Sequence, residues 1–387
     1  MSTYMNNAAT SWPKPDPVPK AVFDFMVGRG ANLARGAAAG RDLETMDMVM
    51  ECREKVAALF GGHKKGDPRY VSFSSNITES LNIVLKGFLK PGMTVVTSSM
   101  EHNAVIRPLR SLEKKGIKLE ILPCDSCGKL DPHGFESLCG SKKVDMLVIA
   151  HGSNLCGVIQ DVDSLSKICR EKDIHFVLDT AQTAGVIPIS ASDLDLAALC
   201  FTGHKGLMGP QGVGGILWKP SFAEVCDPFV EGGTGSFSHE EYQPKSMPDK
   251  FESGTPNLPG IAGLLAAVRW IEEIGIETIH RREEELGSRL LEGLKAVPGV
   301  VFHGSSEMEG RLPVFALNIE GLDNGVIAGQ LADIGIETRP GLHCAPLAHK
   351  TLGSFPQGAL RLSVGFFSSE EDVDRTLDAI KALISQG

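Results

Sequence analysis

Short runs rich in Val, Ile and Leu recur along the first two-thirds of the chain, with longer segments between them whose apolar residues return every three or four positions. VSF near 71, TVVTSS near 94, KLEILP near 118, VDMLVIA near 144, IHFVLD near 174, LAALCFT near 196 and VGGILW near 213 predict strands. TESLNIVLKGFL (78–89) and VDSLSKICREK (162–172) predict helices between them. Strand–helix–strand repetition calls for an α/β fold with a largely parallel sheet covered on both faces. Ligands of such sheets sit beyond the carboxyl ends of the strands, so chemistry is expected just after each strand.

From about 260 the pattern changes. A long helical stretch, GIAGLLAAVRWIEEIG and then TIHRREEELGSRLLEGLKAV, leads into VVFHG, LPVFALNIEG, a helix GVIAGQLADIG, ALRLSVG and a last helix opened by SSEEDVD. The last motif has the form of a capping box. The region reads as a second, smaller α+β unit.

A chain of 387 residues suits two lobes. Its hydrophobic content of 42%, charged content of 22% and net charge of −10 describe an ordinary globular chain without the basic stripe of a nucleic-acid binder. The longest apolar runs, such as MLVIA and LLAAV, are too short to cross a bilayer, so no membrane association is predicted. MSTYMNNAATSWPKP has neither a basic start nor an apolar core, which predicts no secretory signal. Nine scattered cysteines, an odd number, argue for a reducing cytoplasm rather than a disulfide framework. Cys124 and Cys127 form one CxxC, but a zinc site needs a second pair or histidines at close spacing. No metal site is predicted, and the pair is read as structural.

The residues after the strands are unusual. SSNITES, after VSF, fits a helix N-terminus, either as a phosphate cradle or as a plain cap. His102 follows TVVTSS, Asn154 follows VIA, and Asp179 and Gln182 close the IHFVLD strand. After LCF comes Thr202-Gly-His204-Lys205, a lysine in a glycine-rich turn. A phosphate cradle, an acid, a flat histidine and a lysine suggest one cofactor, pyridoxal 5'-phosphate (PLP). A lysine amine must be reachable and able to lose its proton to join the aldehyde. An acid must face the pyridine nitrogen, so that the ring becomes an electron sink. Hydroxyl and amide donors must hold the phosphate, and a planar side chain must cover the ring. The rival phosphate motifs GxGxxG and GxxxxGK[ST] are absent.

The segments NNAATSWPKP, FSSNITESLN, MEHNAV, HGSNLCG, VLDTAQTAG, TGHKGLMGPQG, FESGTPN, RPGLHCAPLAHK and LRLSVGFFSSEEDVD run in order from residue 6 to 374. With them the chain resembles fold-type I PLP enzymes of aminotransferase class V, in the cysteine desulfurase and selenocysteine lyase group. The resemblance implies a large domain (21–260) built on a mixed, mostly parallel seven-stranded sheet. It also implies an N-terminal segment (1–20) that contributes to the active site and the small domain, and a small C-terminal α+β domain (261–387). Lys205 would be the Schiff-base lysine, Asp179 would pair with the pyridine nitrogen, and His102 would stack on the ring. Gln182 would bond the ring hydroxyl, with Asn154 beside it. Thr202, His204 and the backbone of Ile77 and Thr78 would hold the phosphate; position 77 is Ile where a hydroxyl residue often stands, so only its backbone can serve. Thr255 would reach the phosphate of a neighbouring subunit, making a homodimer with shared sites. Arg361 would clamp the substrate carboxylate in a site shared with Asn154, Arg339, Asn7 and Ala8.

Cys344 would set the reaction. It lies in a loop made by Pro340, Gly341 and Pro346, with Arg339 and His343 nearby to favour the thiolate; the other eight cysteines are read as structural. The resemblance implies conversion of L-cysteine to L-alanine, with sulfur left on Cys344 as a persulfide and then passed to an acceptor protein or a reductant. Lys205 and His102 would move the protons. The short stretch from Arg339 to Cys344 resembles the group II type. The alternatives are a selenocysteine lyase acting on L-selenocysteine, another PLP-dependent C–S lyase, or an epimerase of the same fold. A non-catalytic sulfur-carrier scaffold would have no need of Lys205, Asp179, His102 and Arg361 together.

Overall fold

The computed structural model describes residues 2–33 and 39–386. A short strand near the start, β1 (Thr3–Tyr4), is followed by the strands of the main sheet: β2 (Val71–Ser74), β3 (Thr94–Ser98), β4 (Lys118–Leu122), β5 (Met146–Ala150), β6 (His175–Asp179), β7 (Ala198–Thr202) and β8 (Gly214–Trp218). Seven strands pair in the order β2-β8-β7-β6-β5-β3-β4, and only β8 runs against its neighbours. The sheet is the mixed, mostly parallel one expected. Alternate residues feed two cores. Leu147, Ile149, Phe176 and Leu178 enter the core on one face, and Met146, Val148 and Val177 the core on the other. Strand β4 lies at the edge and keeps Lys118 exposed, which blunts that edge.

The reversal at β8 depends on glycine. A Cβ at Gly215 would stand 2.6 Å from the Ser72 carbonyl and 2.6 Å from the Phe201 ring. At Gly214 it would stand 2.7 Å from the Phe201 carbonyl. The glycine-rich tail of the lysine motif is thus a strand squeezed between β2 and β7.

Helices fill both faces. The helix Ile77–Phe88 buries Ile77, Leu81, Val84, Leu85 and Phe88 and starts at Asn76, whose side chain accepts from Glu79 N–H at 3.0 Å. Helix Val162–Glu171 matches the predicted segment within a residue. The long helical stretch breaks at Gly275 (φ +86) into Leu258–Ile274 and Ile276–Lys295. The first of these packs on helices Pro17–Asp24 and Gly40–Leu59, and its Ile261, Leu264 and Val268 join the core of the large sheet.

The C-terminal region adds β9 (Val300–His303), β10 (Val314–Ile319), β11 (Ile336–Glu337), β12 (Arg339–Gly341) and β13 (Ala359–Ser363). A four-stranded antiparallel sheet, β12-β13-β10-β9, packs its own core with helices Ile276–Lys295, Asn324–Asp333 and Glu370–Gln386. The capping box is present: Ser369 N–H donates to Asp372 Oδ2 at 2.9 Å, and Asp372 N–H returns to Ser369 Oγ at 3.1 Å. Strand β1 pairs in parallel with β11 in a separate two-stranded sheet, and Asn6 bridges Ser363 of β13, so the N-terminal segment is stitched to the C-terminal region before it crosses to the large sheet.

Candidate active site

The parallel strands deliver their C-terminal ends to one edge of the large sheet, and the segments after them carry the expected residues. Lys205 sits in the turn after β7, half-buried. Burial first, then Arg361, pulls its amine down to about 8, while Asp179 and Cys344 pull the other way. Four groups predicted separately therefore act on one another. Gly185 (φ +83) and Gly206 allow this convergence, because a Cβ at Gly185 would lie 2.5 Å from the Gly206 carbonyl. The loop after Asp179 and the lysine turn meet backbone to backbone.

Asp179 is buried at the end of β6 and accepts from Ala181 N–H at 2.9 Å. Burial raises its pKa, offset by that bond and by Lys205. Gln182 is buried and donates to the Ala8 carbonyl at 3.1 Å. His102 caps the helix Asn103–Glu113, its Nδ1 accepting from Ala104 N–H at 3.0 Å. Burial, then Lys205 and nearby arginines, hold this ring down to about 4. It is neutral at pH 7, and because Nδ1 accepts, the proton sits on Nε2.

Thr202 Oγ1 and His204 Nδ1 are buried with no hydrogen-bond partner. The first N–H groups of the helix at Ile77 and Thr78 have no acceptor within the helix, while Asn76 caps Glu79 and Ser80 N–H returns to Asn76. These orphaned groups fit an anion such as a phosphate. Thr255 is exposed and lines a cleft of about 290 Å³ with Ser74, Ser75 and Glu79 at that helix start.

Arg361 lies in β13, opposite Arg339 on β12, and is 1% exposed. Its two terminal nitrogens donate to the Asn154 carbonyl at 2.7 Å and to Asn6 Oδ1 at 3.0 Å. Asn7 instead serves the N-terminal segment, donating to the Tyr4 and Ser363 carbonyls and accepting from Trp12 N–H. Ala8 is buried, with its N–H on Ser363 Oγ at 2.9 Å.

Cys344 is exposed, and both it (φ +57) and His343 (φ +48) adopt the left-handed conformation. Two such residues in succession persist only where the surroundings enforce them. Here the Asn154 side chain holds the His343 carbonyl at 2.7 Å, Asn103 N–H holds the Cys344 carbonyl at 2.8 Å, and His343 Nε2 donates to the Ala359 carbonyl at 3.0 Å. One expectation is corrected. His343 does not lend Cys344 a positive charge, because burial pushes its ring down to about 3 and turns it toward Ala359.

Three participants were missed in the sequence. Glu101 is fully buried; it accepts from Ser98 Oγ at 2.6 Å and from Ala150 N–H at 2.9 Å, tying the ends of β3 and β5 just before His102. Burial chiefly, with Asp179 adding, lifts its carboxyl to about 8. Lys14 donates to the His204 carbonyl at 2.8 Å. Asn6, and not its neighbour Asn7, is the one that reaches Arg361. MEHNAV and NNAAT carry the signal for two of them, since Glu101 adjoins His102 and Asn6 adjoins Asn7.

Residues 3–376 match the profile of the aminotransferase class-V family. The chain is 33% identical over 98% of its length to a probable cysteine desulfurase of Pyrococcus abyssi, covering 94% of that protein. It is 30% identical over 98% of its length to a cysteine desulfurase of Haloferax volcanii, covering 88% of it. Among solved structures, the apo cysteine desulfurase of Thermococcus onnurineus superimposes with a TM-score of 0.93 at 33% identity, covering 100% of this chain and 95% of that one. The S-sulfonic acid form of the cysteine desulfurase CsdA from Escherichia coli gives 0.89 at 26% identity, covering 100% and 95%. Fold and site define an α/β enzyme of the fold-type I class. The chain belongs to the aminotransferase class-V family, and within it resembles the cysteine desulfurases.

Proposed function

We propose that the chain is a PLP-dependent cysteine desulfurase that converts L-cysteine to L-alanine and retains the sulfur on Cys344 as a persulfide. The observation that carries this reading is a geometric convergence: the lysine turn meets the loop after Asp179 backbone to backbone at Gly185 and Gly206, and Asn154 joins Arg361 to the loop that holds Cys344. The full-length similarity to cysteine desulfurases supports it.

The residues fit the cofactor. The orphaned Thr202 and His204 atoms and the helix start at Ile77 and Thr78 would hold the phosphate. Asp179 would face the pyridine nitrogen, Gln182 the ring hydroxyl, and His102 the ring. When bound, PLP supplies an electron sink for charge developing on the substrate carbons. The chain does the rest. Arg361, with Arg339 beside it, takes the carboxylate and fixes the amino acid. Lys205, held down to about 8, gives and takes a proton at the α-carbon near neutral pH. The neutral His102 holds its proton on Nε2, which can donate but not accept. The Cys344 thiolate takes the substrate sulfur; the C–S bond breaks, the β-carbon gains a proton, and alanine leaves.

Cys344 is exposed, so its persulfide would be open to an acceptor protein. Exposed Phe23, Met26 and Val27, each more than 60% accessible, support a second copy packing on this chain, with Thr255 crossing to the partner's phosphate. Free thiols at all nine cysteines suit a reducing compartment, and we place the enzyme in the cytoplasm. Among the described residues, no helix is long and apolar enough to cross a membrane.

Borohydride reduction of the purified protein tests the cofactor assignment. A pyridoxyl label on the peptide holding Lys205 is expected, and none on Lys205→Ala. A label at another lysine, or none, would overturn it.

A further inference from the structure

Arg361 is a buried cation with neutral partners. It is 1% exposed and sits in the middle of β13. Its acceptors are a peptide carbonyl, Asn154 at 2.7 Å, and a carboxamide oxygen, Asn6 Oδ1 at 3.0 Å. Its Nε is buried with no partner. The residue opposite it on β12 is another arginine, Arg339. Among the described residues, neither guanidinium forms an ion pair with a carboxylate. Buried charges are ordinarily paired, and like charges directly opposite on neighbouring strands destabilise a sheet. The arrangement leaves an anion to be supplied from outside.

Asn6 is held firmly. It bridges Ser363 in parallel, Met5 N–H donates to the Glu337 carbonyl at 2.9 Å, and Ser363 N–H donates to the Met5 carbonyl at 2.8 Å. Its side chain is therefore aimed by the backbone and not by the guanidinium. Aspartate has the same shape and would make the same contact, but its charge would neutralise Arg361 from the protein side.

We propose that Asn6 is a positioning residue that aims Arg361 while leaving its charge uncompensated, so that the guanidinium is kept for the carboxylate of an amino-acid substrate. The assignment rests on the reading of Arg361 as the carboxylate site. Specificity for an α-carboxylate then depends on an amide at position 6 as well as on the arginine itself.

The test is calorimetric binding of L-alanine and of L-alaninamide, which lacks the carboxylate, to wild-type holoenzyme, Asn6→Asp and Asn6→Ala. Wild type should bind L-alanine more tightly than the amide. Asn6→Asp should weaken L-alanine by at least about tenfold, the order of effect an opposite charge at close range produces, and leave the amide no weaker. Its KM for L-cysteine should rise in step, with kcat within about threefold, since the loss is of ground-state binding. Asn6→Ala keeps the charge but loses the aim, and should weaken L-alanine less than Asn6→Asp does. L-alanine binding in Asn6→Asp equal to wild type would overturn the assignment alone; so would a larger loss in Asn6→Ala than in Asn6→Asp. Wild type that does not distinguish the two ligands would sink the carboxylate reading of Arg361, and this assignment with it.

Discussion

The side chain of Asn154 donates to the carbonyl of His343 at 2.7 Å, one residue before Cys344, while the carbonyl of the same asparagine accepts from Arg361 at 2.7 Å. One residue in the loop after β5 thus touches both the loop that carries the thiol and the arginine assigned to the carboxylate. The two ends of the bound amino acid, its carboxylate and its sulfur, would be spaced by a single asparagine.

Asn154→Leu leaves the His343 carbonyl without its donor, a loss of about 1 kcal/mol in a loop already held in left-handed geometry. The amides of Asn103 and Ala345, bonded to the Cys344 and Leu342 carbonyls, are expected to exchange about five- to tenfold faster. Hydrogen exchange read by mass spectrometry on that loop checks this. Unchanged exchange would mean that Ala359 and Asn103 hold the loop without Asn154.

Gly185→Ala is expected to be among the most damaging single changes. The position has φ +83, and a Cβ there would lie 2.5 Å from the Gly206 carbonyl and 2.8 Å from its carbon. Backbone cannot yield as a side chain can, so the loss is on the order of 3 kcal/mol. The lysine turn would move from the Asp179 loop. A melting curve that matches wild type would contradict the close approach.

Arg361→Lys keeps the charge but not the fork. An ammonium on a flexible stem cannot hold the Asn154 carbonyl and the Asn6 oxygen and still present two parallel donors. The KM for L-cysteine should rise roughly ten- to hundredfold, the worth of one charge-assisted hydrogen bond. Steady-state kinetics decide it; an unchanged KM would place the carboxylate elsewhere.

Stability should pass through a maximum near pH 6.5. Burial lowers His102, His151, His204 and His349 to about 4 and His343 to about 3, from an ordinary 6.5. The stability these five contribute is complete above pH 6.5 and lost as pH falls toward 4, because the unfolded chain takes up their protons first. Glu101 and Glu283 are lifted by burial from 4.5 to about 8, so their contribution is complete below pH 4.5 and lost as pH rises toward 8. Between 4.5 and 6.5 five groups outweigh two; above 6.5 the glutamates lead, until Lys14 and Lys205, lowered to about 8, begin to oppose them as pH nears 8. Melting temperatures from pH 4.5 to 8 should fall on both sides of the maximum, more steeply on the acid side. A steady rise to pH 8 would contradict the buried, protonated glutamates, and Glu101→Gln should flatten the alkaline side.

The strands of the large sheet were legible because each is a short buried run with polar chemistry at its end; β5, β6 and β7 stand where their apolar letters do. The two- and three-residue strands β1, β11 and β12 were not, since pairing over so few residues is fixed by tertiary contact and leaves no periodicity. The break at Gly275 was hidden because both halves are helical in pattern. Among site residues, Lys205, Asp179 and His102 announced themselves by type and place. Asn6 and Asn7 could not be told apart, because which of them faces Arg361 depends on the parallel bridge to Ser363, a partner more than 350 positions away. Glu101 looked like one more acid beside a histidine; only its burial between Ser98 and Ala150 marks it out.

The central claim is that Cys344 takes sulfur from L-cysteine. Alanine release from L-cysteine by the purified holoenzyme, with a reducing thiol present and Cys344→Ala run alongside, tests it most directly. Alanine from wild type and none from the variant, with both proteins holding the cofactor, is the predicted result. Alanine from both, or from neither, would contradict it.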